Sequence, residues 1–261
     1  MGKTIRIRAI KAVTGPDAAA LAKEEAFLNT FAGPDTVIEL VQVPAGTSTI
    51  ETYTDIALAA VETLRLVRQA EADGCDGVFI TCWGNANLDA AREVANIPVT
   101  ASGEASMLLA AGLGARFSVI ATLPYVRFRH EQEAWKLGVH AKFCSERPLG
   151  IRVHDLRSDW DATRKAFIEV GRKCIEEDGA EVLIPGCFGF IGLAAEMQEA
   201  LGVPVIEPAG AVVRHIETLV RLGLCHSKRT WPTPPPKRRD YGFDDLGRAG
   251  AGVARQNAAA G

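Results

Sequence analysis

The sequence of 261 residues lacks several features that mark whole classes of protein. Basic residues are not in excess, because 29 Lys and Arg stand against 32 Asp and Glu, so we expect no nucleic-acid partner. No apolar run approaches the roughly 20 residues that span a bilayer, so we expect no membrane partner. The first ten residues alternate charged and apolar side chains without the apolar core of a secretion signal, which predicts a cytoplasmic protein.

The signatures of metal and nucleotide binding are also missing. No CxxC, HExxH or other regular Cys and His spacing occurs, so we expect no metal site. No glycine-rich phosphate loop occurs, so we expect neither NAD nor ATP as a cofactor. The six cysteines are therefore predicted to be free thiols in a reducing compartment. The five histidines are scattered, and we expect surface or capping positions for them.

Apolar segments typical of strands alternate with segments typical of helices. Residues 77–81 and 181–184 are short, apolar and bounded by turns, as expected of strands buried on both faces. This alternation predicts parallel sheets joined by right-handed crossovers, and hence the α/β class. Further strands are expected at 5–13, 37–43, 117–122 and 203–206, and helices at 17–33, 52–73, 125–137, 160–178, 192–201 and 210–222.

The chain also contains an internal repeat, in which residues 76–99 resemble residues 180–205. Each copy has an apolar strand, a cysteine (Cys82 or Cys187), an aromatic residue, a glycine, a helix and a closing Pro-Val pair. The repeat predicts two parallel-sheet α/β halves related by a pseudo-twofold axis, with the active site between them. We place the first half at 1–115 plus 208–226, the second half at 116–207, and a Pro-rich arm with a disordered tail at 227–261.

The arm at 227–239 is basic and rich in proline, which is typical of extended polyproline geometry. We expect it to lie as a strap across the protein or across a neighbouring subunit. A contact with nucleic acid or with an SH3-type domain is the alternative. Because such an arm needs a surface to lie on, we also expect a homo-oligomer.

Cys82 and Cys187 are placed where a buried parallel strand ends and a helix is about to begin. In open α/β sheets this carboxyl edge is where ligands bind. Unpaired N–H groups and the positive end of a helix dipole favour thiolate over thiol, so we expect lowered pKa values. Gly84 and Gly189 would let the backbone approach a substrate closely. The alternative is that both residues are buried structural cysteines.

With these residues identified, the chain resembles the Asp/Glu/hydantoin racemase superfamily, and within it the hydantoin racemase branch. The resemblance covers roughly residues 3–237. It implies a cofactor-independent racemase or epimerase that acts at a carbon next to a carbonyl, on a hydantoin-like or amino-acid-derived small molecule. One thiolate would remove the Cα proton while the opposing thiol returns a proton to the other face. The segments that carry the resemblance are CWGNANLDAARE, PVTASGEAS, GARFSVIAT, IPGCFGF and GVPVIEPAGAVVRHIETLVRLGL.

The resemblance also implies which residues surround the substrate. Cys82 and Cys187 would be the catalytic pair, and backbone N–H groups after each cysteine would bind the enolate oxygen. Hydantoin racemases usually carry Asn-Pro-Asn where this chain has Ala12-Val13-Thr14, and smaller or more polar residues after each cysteine. This more aromatic wall favours a flat or apolar ligand. The predicted substrate-binding residues are Val13, Trp83, Gly84, Asn85, Thr122, Phe188 and Gly189.

Three other functions are compatible with this pattern. A maleate isomerase-like enzyme would use one cysteine as a nucleophile on an activated double bond. An arylmalonate decarboxylase-like enzyme would need only the second cysteine. A small-molecule-binding protein on the same fold would have two ordinary thiols.

Overall fold

The computed structural model describes residues 4–124 and 127–238. The predicted disordered tail at 240–261 lies outside these residues. In the described chain the strands are β1 (Ile5–Lys11), β2 (Thr36–Gln42), β3 (Gly77–Ile80), β4 (Val99–Ala101), β5 (Phe117–Ala121), β6 (Phe143–Pro148) and β7 (Val182–Pro185). The α-helices are α1 (Ala18–Asn29), α2 (Tyr53–Ala72), α3 (Leu88–Val94), α4 (Ser102–Leu113), α5 (Arg127–Lys136), α6 (Trp160–Glu176), α7 (Ala194–Leu201) and α8 (Pro208–Arg221). None of these helices is long and apolar enough to cross a membrane.

The strands form two parallel sheets, as the alternating pattern predicted. The first sheet has the order β2-β1-β3-β4 and the second the order β6-β5-β7. Every neighbouring pair of strands in the two sheets is parallel. β3 and β7, the two strands of the internal repeat, are buried along their whole length. The predicted α/β class with two parallel-sheet halves is confirmed.

Side chains that the sequence places before α1 and α2 determine where these helices begin. Asp17 accepts a hydrogen bond from the Ala20 N–H at 2.8 Å and caps α1. Thr52 and Asp55 form a reciprocal capping box at the start of α2. Such a cap typically stabilises a helix by about 1 kcal/mol. Both predicted helix starts are therefore confirmed.

The sequence did not predict three elements, β4, α4 and β6, and one predicted strand is nearly absent. β4 is three residues long and runs directly into α4, so no turn residues separate the two. β6 is an edge strand whose sequence FCSERP has little apolar pattern. The strand predicted at 203–206 reduces to a single bridge between Leu183 and Val205.

The last helix, α8, returns to cover the first sheet. Gly77 in β3 has no side chain, and a Cβ there would lie 3.0 Å from atoms of Ile216 and Val220 in α8. The buried Glu217 carboxylate accepts a hydrogen bond from the Gly33 N–H at 2.8 Å, which joins α8 to the connection before β2. This packing agrees with assigning α8 to the first half, although the domain boundaries themselves stay a prediction.

The C-terminal arm lies on the chain's own α3. The Lys228 ammonium donates to the carbonyl oxygens of Arg92 (2.8 Å), Glu93 (3.0 Å) and Ala95 (2.6 Å), which closes the end of α3. The Trp231 indole N–H donates to Asp89 at 3.0 Å, and the Arg92 guanidinium lies 4.7 Å from the centre of the Trp231 ring. Because residues 228–231 find their surface within the chain, the arm no longer argues for an oligomer.

Replacing Lys228 with methionine removes the charge that satisfies these three carbonyl groups while keeping much of the side-chain volume. We expect Lys228→Met to lower the free energy of unfolding by about 1–2 kcal/mol, because hydrogen bonds to a charged group contribute more than neutral ones. Urea unfolding followed by circular dichroism measures the change. The neighbouring Arg229→Met serves as the control, since Arg229 is exposed and, within the described residues, its hydrogen bond is that of its backbone N–H to Ser227. Equal free energies of unfolding for the two variants would show that Lys228 does not stabilise the end of α3.

Candidate active site

The two cysteines of the repeat occupy equivalent ends of the two sheets. β3 ends at Ile80, and Cys82 follows in the loop of residues 81–87 that leads into α3, here termed the Cys82 loop. β7 ends at Pro185, and Cys187 follows as the N-cap of a single 3₁₀ turn over Phe188–Phe190. Both side chains are partly exposed. Each thiol is thus at the carboxyl edge of its sheet, where the sequence placed it.

The structure brings the two thiols into electrostatic contact. Burial has the largest effect on the pKa of Cys187, and negative charge at Cys82 and Glu51 raises this pKa further, whereas Lys11 lowers it. Lys11 ends β1, and Glu51 precedes α2. Three groups associated with the first sheet, Cys82, Lys11 and Glu51, therefore act electrostatically on the Cys187 thiol, which follows a strand of the second sheet.

Burial raises the pKa of the Cys187 thiol to about 11. The Gly189 N–H donates to its sulfur at 3.3 Å and, with Lys11, opposes this rise. The expectation of a lowered pKa is therefore wrong for Cys187, because desolvation outweighs one N–H group and a turn of three residues has little dipole. With a pKa near 11, about one Cys187 in ten thousand is ionised at neutral pH.

The side chains of Trp83 and Asn85, which are predicted to contact the substrate, both bind other parts of the protein. Trp83 is 3% exposed and packs edge-on against His130, with ring centroids 4.5 Å apart. Asn85 accepts a hydrogen bond from the Glu104 N–H at 2.8 Å and donates to Glu133 at 3.0 Å. Both ends of its amide are therefore occupied by protein. These contacts hold the Cys82 loop, and a role in binding substrate stays a prediction for Trp83 and Asn85.

A buried ion pair between Arg92 and Glu104 also supports the Cys82 loop. The Glu104 carboxylate accepts from the Arg92 guanidinium at 2.5 Å and from the Thr100 hydroxyl at 3.0 Å. Arg92 also donates to the Val99 carbonyl at 3.2 Å. These contacts join α3, β4 and the first turn of α4. The hydrogen bond from the Glu104 N–H to Asn85 connects the Cys82 loop to the same elements.

The remaining predicted residues lie around the two thiols in different ways. Gly84 faces the Arg129 guanidinium, and a Cβ on Gly84 would lie 2.8 Å from Nη2. Gly189 directs its N–H to the Cys187 sulfur, and Phe188 is 5% exposed with the Lys11 ammonium 5.5 Å from its ring centre.

Val13 and Thr122 follow the ends of two strands. Val13 is half-buried beyond β1. Thr122 directly follows β5 and is 5% exposed, and its carbonyl accepts from the N–H groups of Gly150 and Ile151. A role in binding substrate stays a prediction for both residues.

Sequence reasoning missed the charged residues around the site. Lys11 is paired with Glu24 at 2.7 Å. His130 was expected at the surface or in a cap but is 1% exposed, with its Nδ1 2.9 Å from the buried Glu146 carboxylate. Arg129, beside it in α5, is 8% exposed. The segment RFRHEQEAWK is typical of a solvated helix face, and nothing in its composition reveals which charges are buried.

Comparison with known proteins agrees with this architecture, which is that of a racemase-type isomerase. The chain belongs to the Asp/Glu/Hydantoin racemase family, whose model matches residues 18–216. This confirms the resemblance and the expectation of an isomerase, and it disfavours a protein that only binds a small molecule.

Individual relatives match over most of their length. A hydantoin racemase of Pseudomonas sp. strain NS671 is 34% identical over 215 residues, which are 82% of this chain and 86% of that protein. The solved allantoin racemase of Klebsiella pneumoniae is 32% identical with a TM-score of 0.87, and the match covers 94% of this chain and 99% of that one. For the allantoin racemase of Pseudomonas fluorescens the identity is 31%, the TM-score 0.85 and the coverages 90% and 99%.

The contact between Gly103 and the Cys82 loop leaves no room for a side chain. A Cβ on Gly103, in the first turn of α4, would lie 1.9 Å from the Trp83 carbonyl oxygen. We expect Gly103→Ala to displace the loop and lower the free energy of unfolding by at least about 2–3 kcal/mol. Gly112→Ala in the same helix meets nothing within 4 Å and should stabilise by about 0.5–1 kcal/mol. Thermal and urea unfolding of both variants test this, and equal effects would contradict it.

The raised pKa of Cys187 predicts the pH dependence of its alkylation. Because the folded thiol keeps its proton above pH 8.5, the thiolate fraction should still rise about tenfold per pH unit between pH 8.5 and 10. Labelling with iodoacetamide, followed by mass spectrometry of the peptide that contains Cys187, measures this rate. Cys187→Ser identifies the peptide, and circular dichroism confirms the fold at each pH. A rate that levels off near pH 8.5 would show an ordinary thiol.

Proposed function

We propose that the chain is a cofactor-independent racemase of 5-substituted hydantoin-like compounds, working with two thiols on opposite faces of the substrate. The observation that carries this proposal is the electrostatic contact between Cys82 and Cys187 at equivalent ends of the two sheets. Racemisation needs a base and an acid on either side of one carbon, and this pair supplies both. Relatives named hydantoin and allantoin racemases support the substrate class.

In the proposed reaction one cysteine is a thiolate and the other a thiol, so the pair carries one proton. The thiolate of one cysteine takes the Cα proton, so that a C–H bond breaks and an S–H bond forms, and the electron pair moves onto the adjacent carbonyl as an enolate. The other thiol then gives its proton to the opposite face of the carbon, and the enolate returns to the carbonyl. The two thiols have exchanged roles at the end. The enzyme is then ready for the other enantiomer.

The environment of Cys187 suggests which thiol starts the reaction. Its raised pKa keeps the proton on Cys187, which suits this residue to donate first. Cys82 is then the base for the enantiomer whose Cα–H faces the first sheet. Once Cys187 has given up its proton, the Gly189 N–H at 3.3 Å and the Lys11 charge stabilise the thiolate that remains.

Deuterium exchange tests the proposal directly. We expect the protein in D₂O to exchange the Cα–H of enantiopure 5-substituted hydantoins or of allantoin, with loss of optical rotation, as followed by NMR and polarimetry. Cys82→Ser and Cys187→Ser should each reduce racemisation by about 10²–10⁴-fold, the usual contribution of a positioned acid or base. A variant that still exchanges one enantiomer assigns the remaining thiol to one face.

Cys225→Ser is the matched control, because Cys225 is exposed and, within the described residues, its thiol bonds to the Asn96 carbonyl and the neighbouring His226. It should racemise like the unchanged protein. Conversion of maleate with a covalent adduct on one cysteine, and no hydantoin exchange, would overturn the proposal in favour of an isomerase that adds a thiol. Decarboxylation of an arylmalonate by Cys82→Ser, with no hydantoin exchange, would equally overturn it.

A further inference from the structure

The chain neutralises two of its buried arginines with carboxylates. Arg8 is 5% exposed and has Glu39 and Asp73 each at 2.6 Å. Arg92 is 9% exposed and has Glu104 at 2.5 Å. Such pairing is the rule, because an unpaired charge away from water is costly.

Arg129 is equally buried, at 8% exposure, but has no such partner. Its Nε is buried without a hydrogen-bond acceptor, and no carboxylate within the described residues forms an ion pair with it. The charge of Arg129 acts on Asp55, because Arg129 is among the groups that lower the pKa of the Asp55 carboxyl. The Asp55 carboxylate accepts through its Oδ2 from the N–H groups of Glu51 and Thr52 and from the Thr52 hydroxyl, and it forms no ion pair with Arg129. Within the described residues the guanidinium therefore has no bound carboxylate, which makes it a candidate to bind one from a ligand.

This guanidinium lies beside the Cys82 loop. It lies against Gly84, two residues after Cys82, and only the missing side chain of Gly84 makes room for it: a Cβ there would be 2.8–3.0 Å from Nη2, Cζ and Nε. Its charge also acts on Asp55 at the start of α2, and Glu51, just before α2, is in electrostatic contact with Cys187. Arg129 is thus linked to Cys82 through Gly84 and to Cys187 through the start of α2.

We propose that Arg129 binds a carboxylate on the 5-substituent of the substrate, so that hydantoins with an acidic side chain are preferred. This inference rests on the proposed racemase function and specifies its substrate. A carboxylate matches the planar fork of a guanidinium with two parallel hydrogen bonds, and it supplies the charge that the described residues do not. Arg129 is a positioning and specificity residue here, and the proton transfer stays with the thiols.

The test compares two ligands of nearly equal shape, 5-(carboxymethyl)hydantoin and its neutral amide, 5-(carbamoylmethyl)hydantoin. We expect the unchanged protein to show a KM for the acid about 10–100-fold below that for the amide, the range for a hydrogen bond to a charged group. Arg129→Gln should remove this preference by raising the KM for the acid, with kcat changed less than about threefold. Arg129→Lys, which keeps the charge, should restore part of it. Arg164→Gln in α6, where the partly exposed Arg164 pairs with Asp161 and Glu196, is the control and should keep the full preference.

Calorimetric binding of the same two ligands separates this inference from the proposed function. If the protein binds the acid in preference to the amide, and only with Arg129, but exchanges no proton, then the carboxylate contact stands and the racemase proposal fails. If it racemises both ligands equally well, the carboxylate contact is wrong. An equal fall in kcat for both ligands in Arg129→Gln would also overturn it, because the guanidinium would then act on the enolate common to both.

Discussion

The buried residue Glu104 holds the Cys82 loop in place, and the candidate site is arranged around that loop. Through Arg92 it joins α3, and through its own N–H it joins Asn85. The C-terminal arm adds to the same connection, because Trp231 lies on the other face of the network at Arg92. The position of one thiol thus depends on an ion pair, a helix start and a distant segment of chain together. Replacing Glu104 alone would leave the Arg92 charge buried without its partner.

The two halves repeat in sequence and fold but not in chemistry. After Cys82 the chain passes through two residues with positive φ, Asn85 and Asn87, before α3 begins. After Cys187 it makes a 3₁₀ turn that aims an N–H at the sulfur. For the proposed racemase the two enantiomers have equal free energy, so kcat/KM must be equal in the two directions. The unequal surroundings of the thiols can therefore appear only in the separate kcat and KM values for each enantiomer.

The sequence predicts the parts of this structure that depend on apolar burial and local signals. The buried strands β3 and β7, the caps at Asp17 and Thr52 and the equivalent positions of the cysteines all have such signals. It does not predict which charges pair in the interior. Arg129 and His130 lie in a segment with the composition of a surface helix, and their burial depends on where α5 packs against the rest of the chain. Nor does the sequence predict the contacts that Trp83 and Asn85 make within the protein, since position along the chain does not tell which side of a loop faces the protein.

Because α8 packs on the first sheet, the two sheets are expected to complete their folding at different times during synthesis. Synthesis proceeds from the N-terminus, and domains generally fold in that order. Here the second sheet and its bridge to Val205 are complete before α8 has been translated. The first sheet must wait for Ile216 and Val220 to cover Gly77, and for Glu217 to reach Gly33. On the ribosome, the half that is begun first is therefore finished last, and its thiol reaches its final surroundings only when nearly the whole chain has emerged.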